Sequence, residues 1–104
     1  MLFAGGQFSH AVRRRSALVD AGTMPKSALA DASFVAREFG SHVLAAATAL
    51  VGTTPNELLY ARVDLAETAP DEYLLLELEL IEPSLFLTHA PDAAEHFASA
   101  LVSF

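Results

Sequence analysis

Several residue types are absent or scarce in this sequence, and each absence excludes a class of protein or site. The 104 residues include no cysteine, which excludes disulfides and thiolate metal sites and is compatible with the cytoplasmic location that we expect. Only 6 residues are Lys or Arg, and the formal net charge of −7 argues against nucleic acid as a partner. The longest apolar run, residues 43–51, is far shorter than the ~20 residues of a membrane span, so we expect no membrane partner.

What the sequence does contain is enough apolar material for one small domain. Hydrophobic residues make up 53% of the chain, which favours a packed core over disorder. The patterns predict, in order, a strand over residues 7–15, a loop over residues 20–27, a helix, two strands and a second helix. This order predicts an α+β fold, with an antiparallel sheet and helices packed on one face.

Two segments have the period of a helix. From Ser33 onward, apolar residues recur at three- and four-residue steps and predict one buried stripe: Val35, Phe39, Val43, Ala46 and Leu50. Asp31 or Ser33 is placed to cap the start of this helix, and Gly52 to end it. Pro91 is suited to the first turn of the second helix, whose predicted buried face holds Ala94, Phe97 and Leu101.

Residues 58–66 and 73–81 alternate like strands, and the turn-forming residues 67–72 predict that they pair as an antiparallel hairpin. The predicted core faces are Leu59, Ala61, Val63 and Leu65 on the first strand and Leu74, Leu76, Leu78 and Leu80 on the second. The opposite face then holds four charged residues: Arg62, Asp64, Glu77 and Glu79. Asp64 should lie across from or diagonal to Glu77, where like charges repel unless something neutralises them.

This charged face has three interpretations. Carboxylate oxygens on a rigid sheet are ligands that Mg²⁺ or Mn²⁺ prefers, which makes Asp64, Glu77 and Glu79 candidate metal ligands. Alternatively, Arg62 pairs with one acid while the others are solvated. The third interpretation is a glycosidase with Glu77 and Glu79 as its two carboxylates. Such a site also needs a sugar-binding cleft lined with aromatic side chains, and the absence of Trp and the presence of only 2 Tyr disfavour it.

The stretch YARVDLAETAPDEYLLLELELIEPS, residues 60–84, resembles the C-terminal end of the ATP-grasp ligases. In that superfamily an R-V-D strand is followed by a turn and an E-x-N strand. The stretch ELELIEPSLFLTHAP, residues 77–91, is the most specific part of the resemblance and is similar to a subgroup near glutathione synthetase and the cycloserine-type cyclo-ligases. FSHAVRRR, residues 8–15, resembles the preceding basic strand of that subgroup.

The resemblance implies a role for each matching residue. Arg62 matches the arginine that stabilises acyl-phosphate transfer, and Asp64 and Glu77 match magnesium ligands. Glu79 falls where Asn is usual and still offers an oxygen to a hard cation. The implied cofactors are Mg²⁺ (or Mn²⁺) and ATP, and the implied nucleotide contacts are Arg13, Arg15 and Ser84. A solvated basic strand end is the alternative interpretation of residues 13–15.

The resemblance further implies that residues 1–104 form a single partial domain, the C-terminal lobe. The parts of the superfamily that hold adenine lie upstream of the matching segment, so we expect the chain alone to be inactive. One hypothesis is part of an ATP-dependent carboxylate–amine ligase, acting on small carboxylate and amine substrates when completed by a second lobe. The other is a non-catalytic small domain that forms a homodimer or binds a companion chain through apolar surface.

Overall fold

The described residues form one antiparallel sheet and two long helices. The computed structural model describes residues 1–14 and 27–104. The elements in chain order are β1 Leu2–Ala4, β2 Gln7–Arg14, β3 Ser27–Ala30, α1 Phe34–Leu50, β4 Tyr60–Ala69, β5 Glu72–Glu79 and α2 Pro91–Ser103. Short 3₁₀ helices at Pro55–Glu57 and Leu87–His89 precede β4 and α2. Within this part of the chain, no helix has the length and apolar character needed to cross a bilayer.

The five strands lie in the order β3-β2-β1-β4-β5, and each neighbouring pair is antiparallel. β4 and β5 form the predicted hairpin, and the predicted α+β class with an antiparallel sheet is confirmed. The sequence did not predict β1 and β3, because strands of 3 and 4 residues are too short to show alternation. Except for Ser27, which begins β3, the predicted loop over residues 20–27 lies outside the described residues.

The core lies between α1 and one face of the sheet. Phe3, Leu44, Ala61 and Val63 are buried together. The ring of Phe8 meets that of Phe3 edge-on, with their centroids 6.1 Å apart. The half-buried side chains that complete this cluster are Met1, Phe8, Val43, Leu58, Leu65, Leu78 and Leu80. Burial of this apolar surface fixes α1 across β1 and β4.

Both ends of α1 follow the sequence prediction. Ser33 is the N-cap, and its Oγ accepts a hydrogen bond from the backbone N of Ala36 at 3.1 Å. Gly52 directly follows the C-cap residue Val51 and has φ of 76°, the left-handed conformation that glycine adopts most readily. Polar and conformational signals at the helix ends therefore predicted the helix bounds well.

The buried stripe of α1 differs from the prediction. The buried residues are Ala36, Gly40, Leu44 and Thr48, whereas the predicted Leu50 is 88% exposed. Small residues face the sheet because the helix packs closely against it. A Cβ added to Gly40 would collide with the side chain of Met1. The prediction followed the largest apolar side chains, several of which lie on the outer flanks of the helix.

α2 begins at Pro91 as predicted, but its buried face is shifted. Ala93 is the buried residue, while Leu101, on the predicted face, is 53% exposed. The ring of Phe97 lies 6.4 Å from that of Tyr60. Tyr60 is followed on β4 by the core residue Ala61, and neighbouring side chains on a strand point to opposite faces. α2 therefore packs on the face of the sheet that is opposite to α1. The two helices therefore lie on opposite faces of the sheet, whereas the sequence predicted that both pack on one face.

A bulge in β5 changes which leucines face the core. Asp64 pairs with Glu77 and Leu65 pairs with Leu75, so Leu76 has no partner on β4. The alternation changes phase at this residue. Leu74 and Leu76, predicted as core, are 59% and 68% exposed. The predicted core residues on the other side of the bulge, Leu78 and Leu80, do pack against the core cluster.

The position of α1 predicts a difference between two identical substitutions on it. Leu44→Ala should lower the free energy of unfolding by about 2–5 kcal/mol, because Leu44 is only 1% exposed and truncation leaves a cavity. Leu50→Ala, at a site 88% exposed, should change it by less than about 0.5 kcal/mol. Urea denaturation measures both values. Similar losses in the two variants would contradict this orientation of α1.

Candidate functional site

Arg62 is the buried centre of a charged cluster on β4 and β5. Its side chain is 7% exposed. Nε donates to Asp64 Oδ1 at 2.9 Å, and Nη2 donates to Asp64 Oδ2 at 3.0 Å. Nη1 lies 2.8 Å from Glu79 Oε2, and Nη2 lies 3.4 Å from Glu77 Oε2. One guanidinium therefore contacts all three predicted acids, and we call these four residues the Arg62 cluster.

Strand register brings the cluster together. Arg62 pairs directly with Glu79, and Asp64 pairs directly with Glu77, which confirms the predicted opposition of these two acids. Since side chains two residues apart on a strand share a face, all four project to the same side. The intervening pair, Val63 and Leu78, points into the core. The same alternation thus builds the core on one face and the charged cluster on the other.

Three carboxylates against one guanidinium leave a surplus of negative charge. Burial tends to lower the pKa of Arg62, but the hydrogen bonds and charge of Asp64, followed by the charges of Glu79 and Glu77, raise it overall. The pKa of Glu77 is raised chiefly by the charge of Glu79 and then by desolvation, and Arg62 offsets this only in part. Arg62 therefore stays charged, while Glu77 lies in a field that opposes its ionisation.

The ligand type of the cluster fits a hard divalent cation, because each acid offers carboxylate oxygens. The arrangement, however, is that of an ion-pair network. Among the described residues, no group of three or more His, Cys, Asp or Glu side chains is placed to hold a metal ion. The carboxylates converge on the guanidinium of Arg62 instead.

The structure describes two of the other three predicted site residues. Arg13 is exposed on β2. Leu2 of β1 pairs with both His10 and Arg62, so these three side chains share a face, and by alternation Arg13 points to the opposite one. Ser84 is exposed in the segment after β5. Arg15, the remaining predicted nucleotide contact, lies outside the described residues.

His10, to which the sequence assigned no role, fixes the segment after β5 to the sheet. It is 7% exposed, and its Nε2 lies 2.9 Å from the carbonyl oxygen of Leu85. Since a carbonyl oxygen can only accept, Nε2 carries the proton, and the hydroxyl of Ser9 donates to Nδ1 at 3.0 Å. Burial lowers the pKa of His10, and the hydrogen bond to Leu85 opposes this shift only in part. The ring is thereby held as the neutral tautomer.

Two further contacts hold the same segment. Nε2 of His89 lies 2.8 Å from Oγ of Ser27, and the guanidinium of Arg14 lies 5.5 Å from the ring centroid of Phe86. Arg14, rather than Arg13, is therefore the arginine of β2 on the face of His10. The four-residue spacing of His10 and Arg14 is the sequence signal that could have shown this, because residues an even number apart on a strand share a face.

The field around Glu77 predicts a pH-dependent stability difference. Glu77→Gln should raise the free energy of unfolding near neutral pH, because it removes a carboxylate that its neighbours repel. A raised carboxyl pKa means that the folded state binds the proton more tightly than the unfolded state. The penalty is therefore absent below the ordinary pKa of 4.5 and grows as the pH rises through the folded pKa.

Urea denaturation across this pH range measures the effect, with Glu38→Gln as the control. Glu38 is exposed on α1, away from the cluster. The stability difference between wild type and Glu77→Gln should widen as pH rises, while that of the control should stay constant. A difference for Glu77→Gln that does not depend on pH would contradict this electrostatic description.

Comparison with known proteins identifies one biosynthetic relative. No protein-family model matches the chain. The chain is 37% identical, over 106 aligned positions, to the cycloserine biosynthesis protein DcsG of Streptomyces lavendulae, and the alignment covers 97% of this chain and 35% of the relative. The fold matches the crystal structure of D-cycloserine synthetase DcsG with a TM-score of 0.84 and 37% identity, over 98% of this chain and 36% of that one. The chain thus spans about a third of the length of the relatives that it matches, and it is similar to part of a cycloserine synthetase.

Proposed function

We propose that this chain is the magnesium- and ATP-phosphate-binding part of an ATP-grasp carboxylate–amine ligase that acts in the cytoplasm. The observation that carries the proposal is the Arg62 cluster, in which one arginine and three acids meet on adjoining strands. The similarity to part of a D-cycloserine synthetase supports a ligase-like relative. ATP, a small carboxylate substrate and a small amine substrate are the proposed ligands of the protein when a second lobe completes it.

In this proposal the three acids Asp64, Glu77 and Glu79 would hold the metal through carboxylate oxygens. Bound Mg²⁺ would supply positive charge next to the phosphate oxygens, which is the main requirement of phosphoryl transfer. Glu79 keeps the oxygen donor of the usual Asn and adds a negative charge. A more negative set of ligands binds a divalent cation more tightly.

Arg62 is the proposed catalytic residue. Its guanidinium is a rigid set of donors suited to the oxygens of a transferring phosphoryl or acyl-phosphate group. Its raised pKa keeps it charged at any physiological pH. Among the proposed nucleotide contacts, Ser84 is exposed and so accessible to a ligand. Arg13 is also exposed, but it points to the face of the sheet opposite to the Arg62 cluster. Arg15 remains a proposed contact outside the described residues.

The proposal predicts that metal and nucleotide bind weakly and that this binding requires the acidic side chains of the Arg62 cluster. Mn²⁺ should bind the wild-type chain, and Asp64→Asn with Glu77→Gln should abolish this binding because two ligands lose their charge. With contacts to the phosphates alone, Mg²⁺–ATP should bind in about the millimolar range, equivalent to ~4 kcal/mol, without measurable turnover. Titration calorimetry measures binding, and phosphate release measures turnover.

A matched control removes the same two charges at the turn of the same hairpin, through Asp71→Asn with Glu72→Gln. Both residues are exposed, and the left-handed conformation of Asp71, with φ of 58°, suits Asn. This control should bind Mn²⁺ as wild type does. Equal affinity in wild type and both double variants would show that the Arg62 cluster is not the metal site.

The exposed leucines of β5 favour a second candidate function, a self-associating small domain. β5 lies at the edge of the sheet, where its outer backbone groups can pair with another strand. Leu74, Leu75 and Leu76 are 59%, 45% and 68% exposed. We propose that a second copy of the chain covers this edge, giving a homodimer.

Replacing Leu74 and Leu76 by Ser should therefore convert the dimer to a monomer, because the new side chains remove the apolar area that pairing would bury. Light scattering at several protein concentrations measures the molecular mass. Leu50→Ser with Val51→Ser, at sites 88% and 71% exposed at the end of α1, serves as the control and should leave the dimer intact. A wild-type chain that is monomeric at every concentration would exclude this candidate.

A further inference from the structure

We propose that Arg62 is an internal counter-cation that competes with a divalent metal ion for Asp64, Glu77 and Glu79. Metal binding then requires these carboxylates to turn away from the guanidinium, and Arg62 weakens metal binding in the absence of nucleotide. This inference rests on the proposed function, because it concerns how the same three acids receive a metal. It assigns Arg62 a role before any phosphate is bound.

The hydrogen bonds of the cluster carry this inference. Both carboxylate oxygens of Asp64 are engaged by Arg62, with Nε at 2.9 Å from Oδ1 and Nη2 at 3.0 Å from Oδ2. Oε2 of Glu79 and Oε2 of Glu77 also contact the guanidinium, at 2.8 and 3.4 Å. The oxygens that point inward therefore already have a cationic partner. The position at which they converge is occupied by the side chain of Arg62.

Burial places the guanidinium beneath the acids. The side chain of Arg62 is 7% exposed, whereas those of Glu79 and Glu77 are 31% and 54% exposed. A cation therefore approaches from the solvent side, where it first meets the two glutamates. The side chain of Asp64 is 26% exposed. To share a cation with Asp64, the two glutamates must rotate out of their contacts with Arg62. The described conformation accordingly contains no metal-ligating group of three acids.

Charge gives the direction of the effect. A metal ion beside these acids lies within a few ångströms of a guanidinium that remains charged, and like charges at such a distance repel strongly in a partly buried site. Each carboxylate also loses a charge-assisted hydrogen bond when it turns toward the metal. Both costs oppose metal binding. A phosphate group offsets them, because it offers the released guanidinium a new anionic partner.

The test is Mn²⁺ binding without nucleotide to the full 104-residue chain, measured by calorimetry and by the Mn²⁺-induced rise in Tm. Arg62→Gln removes the competing charge and should bind Mn²⁺ about tenfold more tightly than wild type, with a larger rise in Tm. Arg37→Gln is the matched control. Arg37 lies over the ring of Phe8 on the α1 side of the sheet, with its guanidinium 5.6 Å from the ring centroid. This control loses the same charge as Arg62→Gln, but on the opposite side of the sheet from the three acids, so it should bind Mn²⁺ as wild type does.

Arg62→Lys is a second variant that tests the inference even if Arg62→Gln does not fold. It retains the charge but lacks the planar fork that reaches all three acids, so it should bind Mn²⁺ more tightly than wild type and less tightly than Arg62→Gln. Arg62→Gln that folds only when Mn²⁺ is added would also support the inference. Equal or weaker binding by Arg62→Gln and Arg62→Lys, with clear binding by wild type, would overturn the inference while leaving the proposed function standing. No Mn²⁺ binding by any variant would overturn both.

Discussion

Burial of the Arg62 guanidinium is the interaction on which the rest of the structure depends. A buried charge is strongly unfavourable unless it is paired and hydrogen-bonded, and Arg62 meets this requirement through Asp64 on its own strand and Glu77 and Glu79 on the next. Those partners are available in one register only. A slip of one residue would turn Leu78 toward the guanidinium and a glutamate toward the core. The hairpin of β4 and β5 is therefore fixed by charge on one face and by apolar packing on the other.

The same constraint connects structure to function. The acids that neutralise Arg62 are also of the ligand type that a hard cation prefers, which is the basis of our proposal that Arg62 and a metal ion compete for them. Arg62 contacts all three acids, and Glu79 makes the shortest of the three ion pairs, at 2.8 Å. A neutral amide at that position would give Arg62 a weaker partner. The glutamate at this position supports our proposal that the three acids hold Arg62 until a phosphate group is present.

The sequence predicted the charged face of the hairpin well, because strand alternation is strict and both partners lie on one short hairpin. It did not predict the bulge at Leu76, because in a run of consecutive leucines every phase of the alternation looks equally apolar. It also missed the buried stripe of α1, where Ala36 and Gly40 face the sheet. Gly40 packs closely against Met1 and Phe3, and Phe3 belongs to β1, a three-residue strand with no pattern of its own. The four-residue spacing of His10 and Arg14 places these two side chains on one face of β2. Which face of β2 adjoins the cluster follows from the pairing of β2 and β4 with β1, which the sequence did not predict.

The most direct test of this account is the proton NMR signal of the Arg62 Nε–H group during a titration with Mg²⁺. In the free chain this group donates to both oxygens of Asp64, at 2.9 and 3.2 Å, and it is shielded from water. The account predicts that the signal shifts or exchanges faster with water as Mg²⁺ binds, following the same saturation curve as the carboxyl carbons of Asp64 and Glu77. An Arg62 signal that stays unchanged while those carboxyl carbons report Mg²⁺ binding would contradict it.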